Sequence, residues 1–207
     1  MREMTVTQGL CELKLYDAKI DKAITNANFV GAAKESSTKV GNVEKTTFKA
    51  NAEKARQSIL DLIDNRARLK SAIVNSNAVT KVKVGSKEMT VAEAIERKTS
   101  IFYEKELLSK LKNNYVAANM TVTDNNNKVN AQVDKLLESA YGKDDAKRTN
   151  EIYDSIAKPY HAANDWELID PLRAQLWIEE LENEIDDFVN NVDVALSVSN
   201  ATTIISF

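Results

Sequence analysis

The same short pattern occurs twice in the chain, each time where a helical stretch gives way to β-branched residues. Residues 71–81 contain Ser76-Asn77-Ala78, and residues 194–204 contain Ser199-Asn200-Ala201 in the same place. The apolar residues before each triplet follow the three- and four-residue spacing of an amphipathic helix, and those after it have the composition of a strand. The repeat therefore predicts two similar helix-to-strand corners in an otherwise helical protein.

Alignment of the two triplets also aligns the helices that precede them. It pairs Leu62 with Ile185, Leu69 with Val192, and Ile73 with Leu196. We expect the helix before the first triplet to run from Thr46 or Thr47 to Asn75–Asn77, because Asn tolerates the left-handed conformation that ends helices. The helix before the second triplet should begin at Asp170-Pro171, with Asp as the cap and Pro in the first helical position. The two helices are then pseudo-equivalent and flank one small sheet.

Two segments have the pattern of strands. Residues 79–84 alternate in polarity, Gly85-Ser86 supplies a turn, and Lys87–Thr90 returns as a second strand. A two-stranded ribbon alone is marginally stable in water. The apolar, β-branched segment 202–207 therefore predicts a third strand. The expected sheet is a small antiparallel one, formed by a hairpin near 79–90 and the C-terminal strand 202–207.

Helix start signals occur at two further positions. Thr5 with Gln8, and Thr90 with Glu93, have the spacing of a capping box. The first helix should end near 26–31, and the polar segment 31–45 predicts a loop, for which mobility is one interpretation.

A long helix follows the second capping box. Seven apolar residues recur at seven-residue intervals: Ala94, Ile101, Leu108, Tyr115, Val122, Val129 and Leu136. Such heptads predict a coiled-coil-like helix from Val91 to Tyr141, ~75 Å long at 1.5 Å per residue, with Gly142 as its stop. The weak helix formers at 124–127 leave a break into a hairpin as an alternative. A short helix from Asp145 to Ala157 should end before Pro159.

These elements predict a mainly α protein with long antiparallel helices. The chain has 207 residues, of which 43% are hydrophobic, and only 2 Pro and 5 Gly. We expect a single helical domain over 1–207, with a protruding helical section around 105–160. No apolar run is long enough to span a membrane and no signal peptide precedes the first helix, so we expect a soluble cytoplasmic protein without a membrane partner.

The charge of the chain limits its partners. The net charge is −3, which does not suit nucleic acid. Between Asp165 and Asp193 there are ten acidic residues and one base, Arg173. That segment is either a solvated helix face that pairs with basic helices of the same fold or a surface offered to a partner.

No catalytic constellation is visible in the sequence. His161 is the sole histidine, and Cys11, the sole cysteine, is interpreted as a packed thiol within the first helix. The carboxylates of Glu179–Asp187 are those that any acidic helix offers, and no Gly-rich phosphate loop is present. We therefore expect no enzyme activity, no cofactor and no metal site.

The ribbon has the most suggestive chemistry. Basic and hydroxyl side chains alternate along it and continue into the following helix: Thr80, Lys81, Lys83, Lys87, Thr90, Arg97 and Lys98. A helix start at Thr90 also presents free N–H groups, which favour anions. Together they predict a site for the phosphates of a small nucleotide, with Tyr103 or Trp166 stacking on a base. The alternative is that edge lysines keep an exposed ribbon from aggregating.

The segments Ser-Asn-Ala-Val-Thr-Lys-Val (76–82) and Thr-Val-Ala-Glu-Ala-Ile-Glu-Arg-Lys (90–98) resemble the septicolysin-like family of small helical bacterial proteins. That resemblance covers about residues 55–115. The Leu-Cys-Glu-Leu-Lys segment (10–14) and the Ser-Asn-Ala-Thr-Thr segment (199–203) are similar to uncharacterised proteins of tailed phages and prophages, over most of the chain. The resemblance implies an oligomer-forming helical protein of phage or prophage origin, acting in the host cytoplasm.

Two classes of function follow from these observations. The first is a non-enzymatic protein that sequesters a small anionic, nucleotide-like ligand, such as a host immune signal. The second is a structural or adaptor protein, either a virion component or a host-protein inhibitor, that acts through its helical surfaces. In both classes the exposed apolar seams of long helices predict a homo-oligomer.

Overall fold

The computed structural model describes residues 2–141 and 150–207, and it confirms a mainly α fold. The elements in chain order are β1 (Glu3–Thr5), α1 (Val6–Asn26), β2 (Lys39–Val40), β3 (Val43–Glu44), α2 (Lys45–Val79), β4 (Lys81–Val84), β5 (Lys87–Thr90), α3 (Val91–Tyr141), α4 (Asn150–Asn164), α5 (Ala174–Thr202) and β6 (Ile204–Ser206). Within the described ranges, no helix is both long and apolar enough to cross a bilayer.

The strands pair differently from the prediction. The hairpin of β4 and β5 forms as expected, but it is a two-stranded sheet by itself. The C-terminal strand β6 pairs instead with β1, with Met4 opposite Ile205. The predicted single sheet of hairpin plus residues 202–207 is therefore wrong. The pairing with β1 buries both Met4 and Ile205 against α2, which explains why it forms.

The contacts within the chain define two compact units. Unit 1 comprises Met1–Thr99 and Asp187–Phe207, and unit 2 comprises Ser100–Asp186. Helices α3 and α5 contribute residues to both units. The single domain and the protruding section around 105–160 stay predictions.

The core of unit 1 lies between the β1–β6 pair, α1 and α2. It consists of Met4, Val6, Leu13, Leu69, Ile73 and Ile205. Asp17 of α1 pairs with Arg66 of α2, and Gly9 lies against Leu69 and Ile73 further along α2, so α1 and α2 run antiparallel. Leu69 is fully buried, so α2 is held both by α1 and by the paired strands.

The two corners predicted from the repeat are present and have the same hydrogen bonds. The N–H of Thr80 donates to the Ser76 carbonyl at 2.9 Å, and the N–H of Thr203 donates to the Ser199 carbonyl at 2.9 Å. Val192 is buried at the position on α5 that corresponds to Leu69 on α2. These matching contacts support the equivalence of the two helices, but the prediction that they flank one sheet is wrong, because each helix leads into a separate strand pair.

The strand that leads into each following helix is also repeated. Glu3-Met4-Thr5-Val6 has the same sequence as Glu88-Met89-Thr90-Val91, and in each copy the Thr caps the next helix. The Val6 N–H donates to the Thr203 carbonyl at 3.0 Å, and the Val91 N–H donates to the Thr80 carbonyl at 2.9 Å. Each copy is therefore a complete motif of helix, strand, strand and helix.

We call α2–β4–β5–α3 the first corner motif and α5–β6–β1–α1 the second. The strands of the first are joined by the turn at Gly85-Ser86. At the corresponding place in the second, Arg2 and Phe207 exchange backbone hydrogen bonds of 3.1 and 3.2 Å. The second motif is thus assembled from segments far apart in sequence.

Several predicted helix boundaries are confirmed and others are wrong. Helix α1 ends at Asn26 as expected, and the 31–45 loop contains the short β2–β3 hairpin. Helix α2 begins at Lys45 and continues past Asn77 to Val79, so the triplet does not end the helix. The equivalent triplet lies inside α5 in the same way. In both cases the helical hydrogen bonds extend to the Thr that follows.

Helix α3 continues through the segment where a break was an alternative. Asn125 Nδ2 donates to the Thr121 carbonyl of the same helix at 2.9 Å, and the Asn126 side chain exchanges hydrogen bonds with the backbone of Trp166 at 2.9 and 2.7 Å. The heptad positions are buried or half-buried, including Ala94, Ile101 and Val129, as predicted. The predicted stop at Gly142 lies outside the described residues.

The last two predicted helix boundaries need correction. Helix α4 continues past Ala157 to Asn164 and contains Pro159, because Ala157 and Tyr160 pack together against α3 on both sides of the proline. Its predicted start at Asp145 lies outside the described residues. Helix α5 begins at Ala174 rather than at Pro171, although the Asp170 carboxylate accepts the Ala174 N–H, at 2.8 and 2.9 Å.

Unit 2 is organised around α3. Val133 and Leu137 of α3 form a small core with Ala157 of α4. An ion pair joins Lys112 to Glu182, so part of the acidic segment does pair with a basic residue of its own fold.

Candidate functional site

A groove of ≈390 Å³ lies in unit 1, where the first helix-to-strand corner meets the second. It is lined by Thr80, Lys81, Val82, Lys83, Ala195, Val198, Ser199, Thr202 and Thr203. We call it the corner groove. The two repeated helix-to-strand corners therefore form its two walls.

The β4 wall follows from strand periodicity. Successive side chains of a strand point to opposite faces, and Val82 and Val84 are buried while Lys81 and Lys83 are exposed. The inward valines fix the strand, and the lysines are left beside the groove. The lysine side chains are thus left exposed by the burial of their neighbours.

The α5 wall follows from helical periodicity. Ala195, Val198, Ser199 and Thr202 have the i, i+3, i+4 and i+7 spacing of one helix face. Ala195 and Val198 provide apolar surface, and Ser199 and Thr202 provide hydroxyls. This wall therefore offers contacts to both apolar and polar parts of a ligand.

The hydroxyls at the groove are only weakly engaged with one another. The Ser199 and Thr203 oxygens are 3.5 Å apart, and so are those of Ser76 and Thr80. Contacts of this length are weak hydrogen bonds. The Thr202 hydroxyl donates to the Val198 carbonyl at 2.9 Å and keeps its lone pairs. Ser199, Thr203 and Thr80 can therefore turn their protons toward an anion.

The two lysines differ in their surroundings. Lys81 lies 3.9 Å from Glu88, with 68% of its side chain exposed. Within the described part of the chain, Lys83 forms no ion pair. An exposed pair of this length contributes little, so both ammonium groups can reorient toward a phosphate or carboxylate.

The structure places only part of the predicted residue set at the groove. Thr80, Lys81 and Lys83 line it, whereas Lys87 and Thr90 lie on β5. The Thr90 N–H and hydroxyl both donate to the Glu93 carboxylate, at 2.6 and 3.0 Å. These bonds, the backbone one first, lower the pKa of Glu93 below its ordinary value. The start of α3 is thus already capped by a carboxylate.

The remaining predicted residues do not line the corner groove. Arg97 lies over the Phe188 ring, 4.5 Å from its centroid, and Lys98 pairs with Asp193. Tyr103 and Trp166 belong to unit 2, where Tyr103 contacts Phe102, with ring centroids 4.4 Å apart. The ligand role predicted for these four residues stays a prediction, because none of them lines the corner groove.

The α5 wall was missing from the sequence-based site. Its residues Ser199, Thr202 and Thr203 belong to the second copy of the repeat, which predicts architecture but no ligand chemistry by itself. The signal that points to them is the match between the two triplets. Equivalent corners that meet bring their hydroxyls to one place.

Other chemistry-bearing residues were also located. The Nδ1 atom of His161 lies 2.8 Å from Oδ1 of Asp165, which directly follows α4, so this is a local structural contact. Cys11 is exposed, so its interpretation as a packed thiol is wrong. Among the residues that the structure describes, no cluster of His, Cys, Asp or Glu could hold a metal ion.

Comparisons of the chain with family models, with curated proteins and with solved structures found no match.

Proposed function

We propose that this protein binds a small anionic ligand in the corner groove and holds it without chemical change. The observation that carries the proposal is the convergence of Lys81 and Lys83 with the hydroxyls of both corners around one groove. Lysines are common phosphate ligands in proteins, and charge-assisted hydrogen bonds are about twice as strong as neutral ones.

The size and lining of the groove favour a compact ligand with an apolar part. Its ≈390 Å³ lies within the range of ~300–1,000 Å³ typical of small-molecule sites. Ala195 and Val198 would contact the apolar part while the lysines contact the charged part. A nucleotide-like molecule has both features. The edge-protection role of the lysines explains their exposure but not the hydroxyls opposite them.

The narrower form of the proposal is that the ligand is a nucleotide immune signal of a bacterial host, which the protein sequesters. The similarity of residues 10–14 and 199–203 to phage proteins motivates this form. Sequestration needs affinity and no turnover. It is compatible with a homo-oligomer, which we also propose from the apolar side chains that remain exposed on the helices, such as Val74, Val194 and Met120.

Thermal unfolding with a panel of cyclic and ADP-ribose-derived nucleotides tests the proposal. A ligand at 100 times its Kd adds about 2.7 kcal/mol to the free energy of unfolding, which raises the Tm measurably. We expect the double variant Lys81→Ala/Lys83→Ala to lose this shift. The matched control, Lys14→Ala/Lys22→Ala, removes two exposed lysines of α1 and should keep it.

Two results would contradict the proposal. One is the absence of a shift with every nucleotide in the panel. The other is an equal loss of the shift in both double variants, which would mean that net charge rather than the groove binds the ligand. Recovery of the ligand after denaturation of the complex tests the absence of turnover, since a binding protein returns it intact.

A second candidate function is that of a structural or adaptor protein. Exposed apolar residues on α5, including Val189 and Val194, lie among its acidic residues and favour an interaction surface. Light scattering of the purified chain measures its self-association, and affinity capture from host lysate tests for a partner. A single stoichiometric host protein would favour the adaptor.

A further inference from the structure

The tip of the β4–β5 hairpin contacts the Asp187 carboxylate of α5. The backbone N–H and the hydroxyl of Ser86 both donate to Oδ2 of Asp187, each at 2.8 Å. Ser86 and Asp187 are 101 residues apart in sequence. This contact therefore joins the turn of the hairpin to a helix that is distant in sequence.

The neighbouring residues are arranged around this contact. Gly85 has a positive φ of 58°, and a Cβ at that position would overlap the Asp187 carboxylate. Asn191, one turn later on α5, donates to the Asp187 carbonyl at 2.7 Å and to its Oδ1 at 3.2 Å. Both carboxylate oxygens are thus engaged, and the turn needs a glycine to approach them.

Among the residues that the structure describes, the second corner motif has no contact of this kind at the equivalent helix position. The residue of α2 that corresponds to Asp187 is Asp64, and its carboxylate pairs with Arg68 on the same helix at 2.8 Å. The β1–β6 pair is held instead by the buried side chains of Met4 and Ile205. At the end of the β1–β6 pair, Arg2 pairs with Glu12 of α1 at 2.6 Å, so this strand pair packs without a carboxylate at the position that Asp187 occupies in the first motif.

We propose that Asp187 is a positioning residue that fixes β4 relative to α5 and thereby sets the width of the corner groove. Strand β4 carries Lys81 and Lys83 on one wall, and α5 forms the other wall. The corner at Thr80 holds one end of β4, and the contact between Ser86 and Asp187 holds the other. This inference rests on the proposed function, because it assigns Asp187 a role in the binding of the same ligand.

The test compares Asp187→Ala with Asp186→Ala, which removes one exposed carboxylate from the neighbouring position. Hydrogen exchange of the purified chain should become faster over residues 81–90 in Asp187→Ala, with residues 6–26 unchanged. The affinity for the nucleotide that gives the largest thermal shift should fall by roughly 5- to 150-fold, the usual range for coupling between two sites. Asp187→Asn keeps an oxygen that accepts the Ser86 bonds and should give an intermediate affinity.

The outcomes separate the inference from the proposed function. Faster exchange with unchanged affinity overturns the inference and leaves the groove as the binding site. Equal effects of Asp187→Ala and Asp186→Ala also overturn it. If the unaltered protein binds no nucleotide of the panel, the proposed function fails, and exchange alone decides whether Asp187 fixes the hairpin. Exchange that becomes faster over the whole chain in Asp187→Ala means global destabilisation and overturns the positioning role.

Discussion

At the scale of single residues, the two motifs use the same helix cap with different chemistry. Thr5 pairs with the amide of Gln8, which does not titrate, whereas Thr90 pairs with the carboxylate of Glu93. The pKa of Glu93 is lowered because its charged form accepts the Thr90 N–H and hydroxyl. A carboxylate near the start of a helix also interacts favourably with the helix dipole.

This difference predicts a pH dependence that one substitution removes. Because the folded-state pKa of Glu93 lies below its ordinary value of 4.5, its stabilising effect is present above that value. The effect is lost as the pH falls through the lowered pKa. We expect Glu93→Gln, which copies the first cap, to make the free energy of unfolding less dependent on pH below 4.5. Urea unfolding at several pH values measures this, and parallel curves for the two proteins would contradict it.

At the scale of elements, the strand pair and the helix behind it depend on each other. Leu69 of α2 is fully buried and packs with residues of β1, β6 and α1. The strands are three residues long, and a strand pair of that length is not stable alone. The stability of the second corner motif therefore comes mainly from this contact with α2.

Truncation of Leu69 should destabilise the protein strongly. We expect Leu69→Ala to lower the free energy of unfolding by about 2–5 kcal/mol, because it leaves a cavity among packed side chains. The matched control is Leu60→Ala on the same helix, where 46% of the side chain is exposed, and its cost should be clearly smaller. Urea denaturation compares the two variants. Equal costs would mean that the buried cluster does not hold the motif together.

At the scale of the whole molecule, the chain contains two copies of one motif. One copy is continuous through Gly85-Ser86, and the other joins Arg2 to Phe207 through backbone hydrogen bonds alone. The copies share the cap, the corner and the buried helix position of Leu69 and Val192. The corner groove forms where the two copies meet, so it depends on both.

This organisation predicts that the chain tolerates circular permutation at one place. The permutant has a Gly-Ser linker from Phe207 to Arg2 and new chain ends between Gly85 and Ser86. The second corner motif then becomes continuous, and the first becomes discontinuous. We expect this permutant to fold with an unchanged circular dichroism spectrum and a cooperative melt. A permutant opened inside α2, after Arg66, is the control and should fail. Failure of the first permutant would contradict the equivalence of the motifs.

The sequence predicted the features that depend on neighbouring residues. The capping boxes, the hairpin and the heptad stripe of α3 are each encoded within one segment, and the structure contains them. The predicted partner of β6 was wrong because the hairpin and the N-terminal strand offer similar edges to a short apolar strand. The identity of residues 3–6 with residues 88–91 was the signal for the correct partner.

The site was predicted on one wall only. Lys81 and Lys83 were found because strand alternation is a local pattern, but Ser199 and Asp187 reach the hairpin through the path of α5, which no local pattern specifies. The anion role expected at the helix start of Thr90 stays a prediction, and the Thr90 N–H already donates to the Glu93 carboxylate.

Amide NMR of the isotope-labelled protein tests the binding groove most directly. The probes are inorganic pyrophosphate and the nucleotide that gives the largest thermal shift. We predict that the largest chemical-shift changes fall on Thr80–Lys83 and Ser199–Thr203, the two walls of the corner groove. Changes centred elsewhere, for example on the apolar hollow lined by Phe29, Val40 and Phe48, or no saturable change with either probe, would contradict the account.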